Sequence, residues 1–188
     1  VTEEVTGIDL VRLQLDLSAG LSFDELGLHE SEVNKPRGHA IQVRVNMESM
    51  NADGVARPAS GKLSVFEVPT GPGVRVDSFG YGGYQPSPKF DSMLAKLIAH
   101  SSSVVFSDVV TRCCRALDDF RIEGIATNLL FVRAILEHPD VVLGKIHTRF
   151  VEENIRNLLE TAEELGESLL GSNEKTTKSG LVRAGANI

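Results

Sequence analysis

The apolar residues Ile41, Val43 and Val45 alternate with Gln42, Arg44 and Asn46, the period of two that marks a strand buried on one face. Arg44 is thereby predicted to face away from the aliphatic side. A turn-rich stretch, residues 51–61, leads into a β-type run at residues 62–68, and residues 73–78 form a third short run. Three strands joined by turns predict a small antiparallel sheet. Residues 81–88 read as a loop of Gly, Tyr and Pro. Residues 93–99 form an apolar run too short for periodicity to decide between strand and helix, and strand is the preferred reading.

Elsewhere the period lengthens. Ile8, Leu10, Val11, Leu13, Leu15 and Leu17 crowd residues 1–19 with apolar positions, a pattern that predicts a mostly buried helix stopped by Gly20. Residues 23–37 turn acidic and irregular and read as a connector, with the next domain starting near Gly38. After a serine cluster suited to capping, residues 101–103, the positions Val105, Val109, Cys113, Ala116, Leu117 and Phe120 share one helical face. A last short strand is expected at residues 122–125, a helix over 127–137 ended by Pro139, and a long acidic helix over 148–170. Residues 171–188 carry almost no aliphatic side chain before Leu181. That composition predicts a linker or frayed tail.

With 188 residues, 41% of them hydrophobic and 24% charged, the chain can build a full-sized domain with a real core and reads as a soluble globular protein. A net charge of −7 opposes attraction to a phosphate backbone or an anionic bilayer, which argues against nucleic acid and membrane partners. No apolar run reaches the roughly 18 to 20 residues that span a bilayer. The two cysteines, Cys113 and Cys114, are adjacent, which suits neither a disulfide framework nor a zinc knuckle and points to a reduced, cytoplasmic chain. The five histidines show no metal-ligand spacing, so no metal is assigned. The chain opens at Val1 without Met, in what reads as the run-in to a helix, and is expected to be a piece of a longer protein.

Five blocks of sequence stand in one order. They are Arg37-Gly38-His39-Ala40-Ile41-Gln42-Val43-Arg44-Val45-Asn46, Gly71-Pro72-Gly73-Val74-Arg75-Val76-Asp77-Ser78, Gly83-Tyr84, Phe90-Asp91-Ser92-Met93-Leu94-Ala95-Lys96-Leu97-Ile98, and Gly124-Ile125-Ala126-Thr127-Asn128. Together they resemble the C-terminal domain of biotin carboxylase, the ATP-using component of biotin-dependent carboxylases such as those acting on acetyl-CoA, propionyl-CoA or pyruvate. The resemblance implies an α+β fold, a small antiparallel sheet packed with helices. It also implies that residues 1–36 are the end of an ATP-grasp domain and its connector, 37–170 the biotin carboxylase C-terminal domain, and 171–188 the tail. Where the family commonly reads Arg-Ile-Asn-Ala-Glu-Asp-Pro, this chain has Arg44-Val45-Asn46-Met47-Glu48-Ser49-Met50. That spelling, with a longer following turn, suggests a multi-domain carboxylase.

The chemistry implied by the resemblance is phosphorylation of bicarbonate by ATP, breakdown of carboxyphosphate, and carboxylation of biotin at a ring nitrogen. The base, the Mg2+ ligands and the phosphate loop would lie outside this chain, so the isolated segment is expected to be inactive. ATP, Mg2+ and biotin would be the cofactors of the full-length enzyme. A biotinylated carrier domain and a carboxyltransferase domain or subunit would be its partners, in an oligomer. Arg44 matches the family's active-site arginine. A guanidinium that never deprotonates suits the oxyanion that forms on biotin's ureido oxygen, while spacing alone would make Arg44 a solvated surface residue.

Asp91 has two readings, a carboxylate that orients an arginine or a turn aspartate bonded to nearby backbone amides. Arg75 and Asp77 share one strand face and match a position near the family's subunit interface, with a surface ion pair as the plain alternative. Thr148 resembles an adenine neighbour, or else it is a helix N-cap. Two rival functions stand beside the enzyme reading: a non-catalytic docking module, and an ATP-grasp ligase acting on another acceptor. The final acceptor, whether acyl-CoA, pyruvate, urea or another oxoacid, is not written in these residues.

Overall fold

The computed structural model describes residues 1–28, 35–51, 54–87, 89 and 91–181, with residues 169–181 described by their backbone alone. Seven strands and six helices follow one another along them: α1 (Thr2–Thr6), α2 (Leu10–Ser18), β1 (His39–Asn46), β2 (Glu48–Met50), β3 (Ala56–Pro58), β4 (Val65–Glu67), β5 (Val74–Ser78), β6 (Met93–Ser101), α3 (Phe106–Asp118), β7 (Arg121–Glu123), α4 (Leu129–Glu137), α5 (Pro139–Val142) and α6 (Phe150–Leu181). The arrangement is α+β, as the resemblance implied.

The main sheet is antiparallel with the order β1-β6-β5. Its register aligns Val43 with Leu97 and Val76, and Ile41 with Ala99 and Val74. This aliphatic face packs on Val109, Val110, Cys113 and Leu117 of α3, where the hydrophobic effect supplies the main driving force. β6 is apolar on both faces, with Leu94, Ala95, Leu97, Ile98 and Ala99 all buried. A central strand covered on both sides loses its alternation, which is why the period could not separate it from a helix.

Four expectations are corrected. The strand at residues 65–67 does not join β1 and β5; β4 pairs with β7, setting Phe66 against Ile122, and both side chains pack on the buried Met47, Leu63 and Leu94. The N-terminal segment is two helices, because Gly7 at φ 77 ends α1 and Asp9 caps α2, accepting from the amides of Val11 and Arg12. Nor is α2 buried, since Leu10, Val11, Leu15 and Leu17 are all exposed. The serines ahead of α3 form local turns, in which the Ser103 amide donates to Ser101 Oγ and the Val105 amide to Ser103 Oγ, while the N-cap itself is Val105, without a side-chain cap.

The long acidic helix is also longer than composition predicted. α6 continues through Leu181, since extending an established helix adds one hydrogen bond per residue fixed. Of the expected tail, residues 182–188 lie outside the described residues, as do 29–34 of the expected connector. Pro139 ends α4 as predicted and opens the single turn of α5. Among the described residues, no helix is long and apolar enough to cross a membrane.

Candidate functional site

Arg44 lies near the end of β1, exposed, between the buried Val43 and Val45. The register places it beside Lys96 of β6, which is itself opposite Asp77 of β5. The outer face of the sheet therefore carries Gln42, Arg44, Lys96, Arg75 and Asp77 around the buried Ile98, whereas the inner face is aliphatic. Just past Arg44 the β1–β6 register shifts between Val45 and Asn46, a bulge that bends the strand locally.

Asn128 holds this bulge. Its carboxamide donates to the Arg44 carbonyl at 3.1 Å and accepts from the Asn46 amide at 2.8 Å, and its own backbone amide donates to the Asn46 carbonyl at 3.1 Å. On the adjoining side, Asn46 Nδ2 donates to Glu48 Oε1 at 3.2 Å, and Ser92 Oγ donates to the same carboxylate oxygen. The Met47 amide closes the group by donating to the Ser92 carbonyl at 2.7 Å. Asn46, Glu48, Ser92 and Asn128 all lie inside the sequence blocks given above, where no residue pattern assigns them a role. The run Gly124-Ile125-Ala126-Thr127-Asn128 was the available signal.

Asp91 is exposed, and its Oδ1 accepts from the Met93 amide at 2.9 Å. This is the turn geometry of the second reading. Because Met93 pairs with Asn46, the Asp91 turn lies against the end of β1 that bears Arg44. Arg75 and Asp77 form an ion pair at 3.0 Å along β5, and Arg75 also reaches Glu3 at 3.6 Å and Glu4 at 3.8 Å on α1. The Asp77 hydrogen bond is the main cause that raises the Arg75 pKa above its ordinary value. Thr148 stands apart on a different element, exposed in the turn ahead of α6.

Cys113 and Cys114 are buried in α3. Burial pushes the Cys113 thiol up to about 12 and raises Cys114 as well, so both are protonated core groups at neutral pH. Among the described residues, no three His, Cys, Asp or Glu side chains converge as a metal site.

A sheet with an aliphatic inner face and a mixed outer face, its edge strand held by Asn128 beside Arg44, makes up this α+β domain. Residues 42–153 match the family described as biotin carboxylase C-terminal domain, and the chain belongs to that family. The Biotin-dependent acyl-coenzyme A carboxylase alpha3 subunit of Mycobacterium leprae is 40% identical over 164 residues, covering 85% of this chain and 26% of the relative. The solved biotin carboxylase domain of a single-chain bacterial carboxylase superposes with a TM-score of 0.77 at 38% identity, over 87% of this chain and 36% of that one. The biotin carboxylase domain dimer of Hydrogenobacter thermophilus 2-oxoglutarate carboxylase, in complex with MgADP, ADP and bicarbonate, gives a TM-score of 0.74 at 32% identity, over 84% and 33% of the two chains. The chain thus spans about a quarter to about a third of the lengths of these relatives.

Proposed function

We propose that this chain is the C-terminal part of the biotin carboxylase component of a biotin-dependent carboxylase, an ATP-dependent ligase, and that Arg44 acts on biotin. The observation that carries the reading is the placement of Arg44, a permanent cation on the outer sheet face whose backbone is clamped by Asn128. When biotin's ring nitrogen gives up its proton to the phosphate released as carboxyphosphate breaks down, negative charge moves onto the ureido oxygen. A preorganised guanidinium stabilises that oxygen without reorganising during the step. The nitrogen then attacks carbon dioxide released from carboxyphosphate, and the N–C bond closes as a C=O π pair moves onto oxygen.

ATP, Mg2+ and bicarbonate would be handled mainly by residues outside this chain, consistent with a relative solved with MgADP and bicarbonate. In this reading residues 1–36 end the ATP-grasp domain, 37–170 form the C-terminal domain and 171–188 lead away from it. Asp91 supports the site from its turn, Thr148 borders the adenine, and the Arg75–Asp77 pair lies toward a subunit interface. A biotinylated carrier domain and a carboxyltransferase would complete an oligomeric, cytoplasmic enzyme. The exposed apolar side chains of α2 favour a docking role for the N-terminal helices within the same assembly.

The test is to supply the complete polypeptide with MgATP, labelled bicarbonate and free biotin. Label is expected in biotin, dependent on ATP, and residues 1–188 alone are expected to release no phosphate. ATP-dependent labelling of another acceptor with none in biotin would replace this reading with that of a different ligase.

A further inference from the structure

We propose that Asn128 is a positioning residue for Arg44, an inference that rests on the reading of Arg44 given above. Among the described residues β1 is an edge strand of the main sheet, paired with β6 on one side only. On its free edge the backbone groups of residues 44 and 46 would otherwise lack a ladder partner. Asn128 supplies one in miniature, with its carboxamide bridging the Arg44 carbonyl and the Asn46 amide and its backbone amide meeting the Asn46 carbonyl. The partners fix the orientation of the carboxamide, because a carbonyl can only accept and a backbone amide can only donate.

The position of Asn128 at its own helix shows what this clamp displaces. Asn128 is the N-cap of α4, a place where asparagine ordinarily bonds the first helical amides, yet its side chain makes no cap bond. The carboxamide is committed to β1 instead. The loop that carries it is itself fixed, since the Ser64 amide donates to the Glu123 carbonyl at 2.9 Å and Gly124 lies tight against the Lys62 carbonyl. The clamp spans the bulge that follows Arg44, where the register is weakest. It sets the Arg44 peptide plane and with it the direction of the Arg44 side chain. A displacement of about 1 Å at a catalytic group can cost about 100-fold in rate.

The experiment is a double-mutant cycle in the complete carboxylase, with Asn128→Ala, Arg44→Met and both together. Biotin carboxylation rate, ATP KM and melting temperature are read for each. Asn128→Ala is expected to lower the rate about 10- to 100-fold with ATP KM unchanged, and to cause no further loss in the Arg44→Met background. Should Asn128→Ala lose its melting transition, Asn128→Asp takes its place under the same criteria, since it keeps the acceptor toward Asn46 and lacks the donor toward Arg44. Equal fold losses in both backgrounds, or a normal rate for the Asn128 variant beside a slow Arg44→Met, would overturn this inference alone. A normal rate for Arg44→Met would overturn the reading of Arg44 and this inference with it.

Discussion

A Cβ atom placed on Gly124 would lie 2.0 Å from the carbonyl oxygen of Lys62. The backbone there has φ +93, a conformation that a side chain strains even where space is open. Two costs thus fall on one substitution, and the opposing atom is backbone, which yields little. Gly124→Ala is expected to lose about 2–4 kcal/mol of stability, with a lower urea midpoint and an unchanged slope. A midpoint equal to wild type would show that the loop ahead of Asn128 is looser than this contact implies.

Arg133 ties the end of α3 to α4. Its Nη1 donates to the Cys114 carbonyl at 2.6 Å and lies 2.5 Å from Asp118, while Nη2 lies 2.7 Å from Glu137. The two carboxylates are well exposed and their pairing is worth little, whereas the half-buried carbonyl has more to lose. Arg133→Met is expected to cost about 1–3 kcal/mol, and Asp118→Asn less than about 1 kcal/mol. The reverse ranking in chemical denaturation would assign the stability to the ion pair.

How far the fold was legible follows from how local each determinant is. β1 could be read because one face of it is buried and the other is not, so its alternation survives in the sequence; the outward direction of Arg44 followed from the same fact. The short strands β2 and β3 fell inside a turn-rich stretch, where three residues each leave no period. Gly7 and Asp9 together spell a helix stop and start, but the crowded leucines around them favoured a single helix. The clamp of Asn128 left no trace in any pattern, because it joins residues 82 and 84 positions apart through side chain to backbone. For Asp91 both readings were available locally, and its bond to Met93 is the one a turn aspartate makes.

The buried thiol of Cys113 predicts a pH dependence. Its folded pKa of about 12 lies above the ordinary value of 9.0 because burial disfavours the thiolate. The unfolded chain therefore loses the proton first as pH rises. The stability that Cys113 contributes is complete below about pH 9 and is lost progressively toward about pH 12. The stability difference between wild type and Cys113→Val is expected to change by up to about 1.4 kcal/mol per pH unit across that window, on top of a constant offset from packing. A difference that stays flat from pH 8 to about pH 11 would show that the thiol already ionises in the folded protein.

The central claim is that Arg44 stabilises charge on biotin, and the rate of biotin carboxylation by Arg44→Met in the complete enzyme tests it most directly. The substitution leaves the buried Val43 and Val45 untouched, so the melting temperature is expected to stay close to that of wild type. Removing one preorganised donor to a developing oxyanion lowers the rate about 10²- to 10³-fold, and ATP KM is expected to change far less. A carboxylation rate equal to wild type at full occupancy would contradict the account and leave Arg44 a solvated residue on the sheet face.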